Sequence, residues 1–274
     1  MNNLIGKNIR LKRIFNKMSG NIVLVPLDHG VTMGPVEGLK NIKDTMKRFT
    51  YSEVDGVILH KGNIRNTIEY LGEDINLIVH LNASTQISPD PDLKTLICTV
   101  EEAIQLGADA VSIHINIGSD NESRMLYDFG IIGKKCGDWG IPLLAMMYVR
   151  GKFIDNGTTK HIKLAARVAS ELGADIVKVN FTGDIDSFRS VIEGCSVPIV
   201  VAGGEKASSS ESILRDIHAA MKVGARGVAC GRNAFQHENP KLFCKAVSMI
   251  VHDNASVEEA LCILKPGDTI RHIG

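Results

Sequence analysis

The sequence predicts a (β/α)8 barrel with an N-terminal capping helix, built as one unit over residues 1–274. Three observations predict it. A helix end, a Gly-Ala pair and a β-branched run recur in 105-QLGADAVSIHI-115, 171-ELGADIVKVNF-181 and 222-KVGARGVACGR-232, with a looser copy in 53-EVDGVILHKG-62. Glycine ends a helix in the left-handed region and lets the chain turn into a strand, so the repeat reads as alternating helices and parallel strands. Eight short apolar runs occur in all, without hairpin signals between them. The structural alternative, a doubly wound open sheet, lacks its GxGxxG after the first strand.

The elements follow in order. The basic, amphipathic segment 6-GKNIRLKRIFNKM-18 is expected to be a helix that plugs the barrel floor. The strands are expected in 22-IVLVPLDHG-30, 56-GVILHKG-62, 75-INLIVHL-81, 109-DAVSIHI-115, 142-PLLAMMY-148, 175-DIVKVNF-181, 197-VPIVVAGG-204 and 226-RGVACGR-232. Helical periodicity marks 100–107, 159–172 and 208–224. The link between the third and fourth strands carries a Pro-rich loop, 88-SPDPD-92.

Composition narrows the function classes. Of 274 residues, 44% are hydrophobic, enough for a large core. Lys+Arg and Asp+Glu both number 31, so no basic stripe for nucleic acid or charged membrane face is expected. No apolar run reaches spanning length, and the polar, basic N-terminus lacks a signal-peptide core. The six cysteines are scattered without CxxC spacing, which suits reduced thiols in a cytoplasmic protein.

In a barrel, catalytic groups gather at the C-terminal strand ends. Lys178 lies inside an apolar strand there. Burial favours the neutral amine, a nucleophile that attacks ketones to form a Schiff base. The alternative is an ammonium that reaches the rim and pairs with a carboxylate. Tyr148 ends the fifth strand, where a phenol can move a proton on and off a substrate oxygen; it can equally be an interior tyrosine with a satisfied hydroxyl. Asp28 can orient a hydroxyl, pair with the lysine or cap a helix. Glycines 203 and 204, and Gly231 with Arg232, follow strands seven and eight, a recurrent phosphate site; turn glycines are the alternative. His29, His60, His80 and His114 at strand ends raise a rival zinc chemistry, without HxH or HExxH spacing.

Five segments, 26-PLDHGVTMGP-35, 109-DAVSIHINIGSD-120, 145-AMMYVRG-151, 174-ADIVKVNFTGD-184 and 201-VAGGEK-206, resemble the class I aldolase family of archaeal fructose-bisphosphate aldolases. The resemblance runs from Leu11 to about Leu261. It is strongest to the branch that pairs a phosphorylated keto-sugar with L-aspartate semialdehyde, at an alternative entry to 3-dehydroquinate and the aromatic amino acids. It implies that Lys178 forms the Schiff base, Tyr148 is the acid/base and Asp28 assists proton transfer. Gly203, Gly204, Gly231 and Arg232 would hold the phosphate, with Arg150 among the substrate-binding residues. No metal or organic cofactor is implied. The partners are a phosphorylated sugar and an aldehyde, and the assembly is a homo-oligomer, often a decamer in that family. The chain departs from the family at 82-NAST-85, at Val149 and at Val179 and Asn180. All are expected at the mouth, where they bear on substrate choice. A condensation of dihydroxyacetone phosphate, with aspartate semialdehyde or in a fructose-bisphosphate aldolase, is the alternative. A zinc-dependent barrel enzyme and a thiolase-like acyltransferase are more distant readings.

Overall fold

Eight parallel strands close into a barrel in the computed structural model, which describes residues 3–264 apart from 51, 73, 153 and 155–157. They are β1 (Ile22–Pro26), β2 (Gly56–Leu59), β3 (Asn76–His80), β4 (Ala110–Ile117), β5 (Leu143–Val149), β6 (Ile176–Asn180), β7 (Ile199–Ala202) and β8 (Gly227–Ala229). Each pairs with its neighbours in sequence, and β8 returns to β1. Several strands stop short of the apolar runs that mark them. Residues 27–30 and 230–232, for example, leave the sheet to form the turns that carry the site. The Pro-rich stretch is the turn of a small antiparallel ladder, Asn82–Ala83 with Thr95–Leu96.

Side chains alternate across each strand. Leu24, Ile58, Ile78, Leu144, Ile176 and Val200 fill the barrel interior. Val25, Val57, Val79, Ala145, Val177 and Val201 face the helices and join the larger outer core.

Register is set at the floor by three aspartates. Asp55, Asp109 and Asp175 stand just before β2, β4 and β6. Their Oδ2 atoms accept from the backbone N–H of Val23 (2.6 Å), Leu77 (2.9 Å) and Leu143 (2.9 Å), each in the preceding strand. The aspartate of the repeated Gly-Ala-Asp turn, and Asp55 in its looser copy, thus pin one strand against the next. At the closing seam, Gly227 (φ +141°) sits so close to β1 that a Cβ would stand 1.9 Å from the Ile22 carbonyl oxygen. Only glycine fits there.

The N-terminal helix, Asn3–Ile14, lies under this floor. It is displaced toward the terminus relative to the expected 6–18. Ile14 is fully buried in the interior cluster, with Leu11 and Phe15 against it. Lys7 Nζ pairs with Asp175 at 2.9 Å, and Arg10 Nη1 donates to the Gly140 carbonyl at 3.0 Å.

Removing the plug's buried tip should therefore cost core energy. Ile14→Ala is expected to lower unfolding stability by about 2–5 kcal/mol in urea denaturation. A change within about 0.5 kcal/mol would show that the helix is a surface appendage.

Candidate active site

A cavity of about 800 Å³ opens at the C-terminal strand ends. Alternation decides what lines it. On β6, Ile176 faces in at the floor, and Lys178 and Asn180 line the cavity above it. Val179 points the other way and is fully buried in the outer core. The expectation that Val179 lies at the mouth is corrected on this ground; it packs in the outer core and does not line the cavity. Asn82 of the 82-NAST-85 segment is a tie. Its Nδ2 donates to the His114 carbonyl and its Oδ1 accepts from the His114 N–H, both at 2.8 Å.

Lys178 is 5% exposed. Among the described residues none hydrogen-bonds its amine and no carboxylate forms an ion pair with it. The rim-ammonium alternative is thus not what the fold builds. Tyr148 stands on the adjacent strand, half-buried, with its ring 4.7 Å from the His114 ring. The Arg150 guanidinium lies over the same ring at 4.8 Å. The Tyr148 hydroxyl donates to no described residue.

Asp28 faces this pair across the barrel, 14% exposed. Its Oδ2 is 3.7 Å from His80 Nε2, and its Oδ1 is 3.5 Å from His29 Nδ1. Burial alone would raise its carboxyl. In acid, where the imidazoles take up protons, the favourable charge interactions with His80, His29 and His60, together with Lys178, outweigh that and hold it well below the ordinary carboxylate range. Burial acts on the imidazoles too. It pushes His80 down to about 3 and lowers His29, His60 and His114. At neutral pH the state that fits both trends is an ionised Asp28 among neutral histidines. His80 Nδ1 is fixed by Ser112 Oγ at 2.8 Å. Among the described residues, no three His, Cys, Asp or Glu side chains are placed to share a metal ion.

The β7–β8 side holds the glycines. Gly203 and Gly231 are required by packing: a Cβ would stand 2.6 Å from Cys230 Sγ or from His29 Cε1, respectively. Gly204 differs, with φ +67° and open space where a Cβ would go. The backbone N–H groups of Gly204, Gly231 and Arg232 donate to no described residue. Arg232 Nε is buried without a hydrogen bond, and Nη1 is 3.6 Å from Glu205 Oε1. Glycine amides and a guanidinium around open space suit an anion.

Lys178, Tyr148, Asp28, Arg150, Gly203, Gly204, Gly231 and Arg232 all line this one cavity. Sequence reasoning missed two residues. Asn233 donates from Nδ2 to the carbonyls of Gly203 and Glu205 and accepts from the Ala207 N–H, which fixes the glycine loop. Its signal was its place in 230-CGRN-233. Lys94 lines the cavity, 5% exposed, from the loop between β3 and β4. No strand-end pattern marks it, because the loop folds back over the mouth.

Three comparisons bear on this geometry. The model of the family described as DeoC/LacD family aldolase matches residues 22–237. The chain is 44% identical over 258 residues to the 2-amino-3,7-dideoxy-D-threo-hept-6-ulosonate synthase 1 of Archaeoglobus fulgidus, covering 94% of this chain and 95% of that one. It is 37% identical over 251 residues to the 2-amino-4,5-dihydroxy-6-oxo-7-(phosphonooxy)heptanoate synthase of Streptomyces griseus, covering 91% and 92%. An archaeal fructose-1,6-bisphosphate aldolase, solved with its catalytic lysine bound to the substrate's carbinolamine intermediate, superposes with a TM-score of 0.82 at 28% identity, covering 90% and 99%.

The neutral histidines set an acid limit. The unfolded chain takes up a proton near pH 6.5 that the folded His80 refuses until about pH 3. Its contribution is whole above 6.5 and is lost as pH falls from there toward 3, by about 1.4 kcal/mol per pH unit. The depressed Asp28 adds to the acid loss only lower, as pH falls below its ordinary value of 3.8. The urea midpoint should drop between pH 7 and 5, and His80→Asn should flatten that slope. A profile unchanged by the substitution would show His80 to be protonated in the folded state.

Proposed function

The chain belongs to the DeoC/LacD family of aldolases, and from that premise we propose a Schiff-base enzyme that makes or exchanges C–C bonds between a phosphorylated keto-sugar donor and an aldehyde such as L-aspartate semialdehyde. The observation that carries the reading is Lys178: an amine buried in the barrel interior, hydrogen-bonded to no described residue, with a phenol on the next strand and an ionised carboxylate facing it. A buried polar group without a partner calls for a use.

The chemistry follows from the positions. The Lys178 amine attacks the donor ketone carbon and gives a carbinolamine. Tyr148 hands a proton to the departing hydroxyl, water leaves and an iminium forms. The iminium draws the electron pair of the C–C bond next to it while the Tyr148 phenolate takes the proton of the β-hydroxyl, an aldehyde fragment departs, and an enamine remains. That enamine carbon attacks the incoming aldehyde carbonyl, and Tyr148 cycles the proton at the oxygen. Water then adds to the new iminium and frees Lys178. Asp28, held ionised, is a weak base suited to accept and orient a substrate O–H. No metal or organic cofactor enters these steps. Gly204, Gly231 and Arg232, with Gly203 behind them, would hold the phosphate, and Arg150 would bind the distal substrate end.

A second reading concerns the donor. The two relatives' product names differ beside the C6 ketone: deoxy at C7 in one, phosphonooxy in the other. The open anion cradle in the same cavity as Lys178 favours a donor phosphorylated on the carbon beside its ketone, such as dihydroxyacetone phosphate. We further propose one barrel domain over 1–274, working as a cytoplasmic homo-oligomer. Six free cysteines support the reduced compartment. Exposed Leu4, Ile5 and Ile9 on the plug helix, and Trp139 and Ile131 on the helix Glu122–Trp139, support contact with a further copy.

Borohydride with a donor should add covalent mass at Lys178 and stop turnover, and the trapped mass names the donor. Lys178→Met and Lys178→Arg should lose turnover by orders of magnitude with the fold intact. Trapping at Lys61, which pairs with Glu102 outside the cavity, would sink the assignment. Activity should survive EDTA.

Tyr148→Phe should lower kcat by about 10²–10⁴-fold with little change in KM. Arg232→Ala should mainly raise KM for the phosphorylated substrate. If Tyr148→Phe raises KM alone, the catalytic acid is elsewhere, with Asp28 next.

A further inference from the structure

The cavity has a second cationic end, where Arg150 is joined by Lys94, a residue the Schiff-base chemistry does not use. Strand order places it across the barrel from the glycine cradle: β3 and β4 lie four strands from β7 and β8 in either direction. The Lys94 ammonium comes from the β3–β4 loop. Its Nζ donates to Ser84 Oγ and to the Pro91 carbonyl at 2.9 Å. An ammonium has three donors, so one is left. Arg150 stands at the end of β5, over the Tyr148 ring. Among the described residues it forms no ion pair and no side-chain hydrogen bond.

The two cations repel each other. The Arg150 charge, after burial, lowers Lys94, and both lower His114. Asp92, Asp28 and Asp90 offset this only in part, and Asp90 is already engaged by Asn121 Nδ2 and by the N–H groups of Asp92 and Leu93. The loop is nonetheless held in place. Asn116 Nδ2, from the neighbouring strand, donates to the Asp92 carbonyl at 2.7 Å. A fold that pins a buried ammonium beside a free guanidinium, facing a cavity, has built a place for an anion.

Which anion follows from the groups at the two ends of the product. In both relatives' product names the ketone is C6, the carboxylate is C1 and an amine is on C2. With C6 on Lys178 and C7 toward the glycine cradle, C1 lies five C–C bonds away on the other side, roughly 6 Å in an extended chain at about 1.5 Å per bond. We infer that Lys94 and Arg150 form a carboxylate subsite for the acceptor, and that it selects an aldehyde bearing an α-amino acid's carboxylate. This rests on the aldolase reading above. It does not depend on whether the donor is phosphorylated beside its ketone, because both products share the C1 end. Lys94 thereby becomes a specificity-determining residue, and Arg150 couples acceptor binding to Tyr148 through the ring it covers.

The test compares acceptors that differ by one group. Succinic semialdehyde keeps the carboxylate of aspartate semialdehyde and lacks the amine; 3-aminopropanal keeps only the amine; propanal has neither. The ratio of kcat/KM for succinic semialdehyde over propanal should fall by about 10- to 100-fold in Lys94→Met and in Arg150→Met, the size expected for loss of a charge-assisted hydrogen bond. The effect should appear in KM, and Lys94→Arg should restore part of the ratio. Borohydride trapping of the donor at Lys178 is run on every variant. If the native enzyme is not trapped, the Schiff-base reading fails on its own account. If every variant is trapped but the ratio is unchanged, or both aldehydes lose equally, the carboxylate subsite is wrong. A loss confined to D-glyceraldehyde 3-phosphate would overturn it in favour of a second phosphate site. Should Lys94→Met disturb the loop that Ser84 and Pro91 share with it, Arg150→Met, whose side chain ties no loop, decides the question.

Discussion

Register at the barrel floor is the constraint on which the rest depends. A strand has a side-chain period of two, so a slip of one residue sends every inward group outward. On β6 such a slip would put Lys178 among the helices and Val179 in the cavity. Asp55, Asp109 and Asp175 prevent it, each gripping the first N–H groups of the preceding strand. Gly227 does the matching work at the closing seam, where β8 approaches β1 too closely for any side chain. The aspartates lie at the opposite end of the strands from the chemistry, yet they decide which residues face it.

Above that floor the interior changes character within a few residues. Leu24 gives way to Asp28, Leu144 and Met146 to Tyr148, and Ile176 to Lys178. The plug helix closes the apolar end, so the polar layer meets solvent from one side only. Low solvation makes the field of each charge strong. Neutral imidazoles suit such a layer, because they supply polar atoms without adding charge beside Asp28. Resistance to acid is what the arrangement gives up, since each buried neutral histidine favours the unfolded chain once protons are available.

Loops on opposite sides of the mouth are fixed by the same device. Asn233 ties the glycine loop through two carbonyls and one N–H. Asn82 and Asn116 tie the β3–β4 loop to β4 in the same manner. An amide side chain can both donate and accept, so it replaces a strand pairing where the sheet has ended. The departure at 82-NAST-85 has its explanation here. The tied loops then present two different surfaces to the cavity, one of glycine amides with a guanidinium and one of a buried ammonium with a guanidinium. Between them lies Lys178.

The local sequence by itself determined the architecture and the central residues. Repeated helix–Gly–strand turns are short-range signals, and they announce eight strands and their order. Strand ends then place Lys178, Tyr148, Asp28 and the glycines at one mouth, because a barrel gathers all such ends together. Facing was less legible. Val179 and Asn180 are neighbours in sequence, and only the closed sheet sends one to the helices and the other to the cavity. The glycines were ambiguous for a related reason. Gly203 and Gly231 are small because other strands crowd them, and Gly204 alone stands in open space. Lys94 could not be found locally at all. It sits in a Pro-rich loop with no periodicity, and its burial exists only once the ladder of Asn82–Ala83 with Thr95–Leu96 folds that loop across the mouth. Contacts between residues distant in sequence carry no local signature, so what depended on them was decided by the tertiary structure.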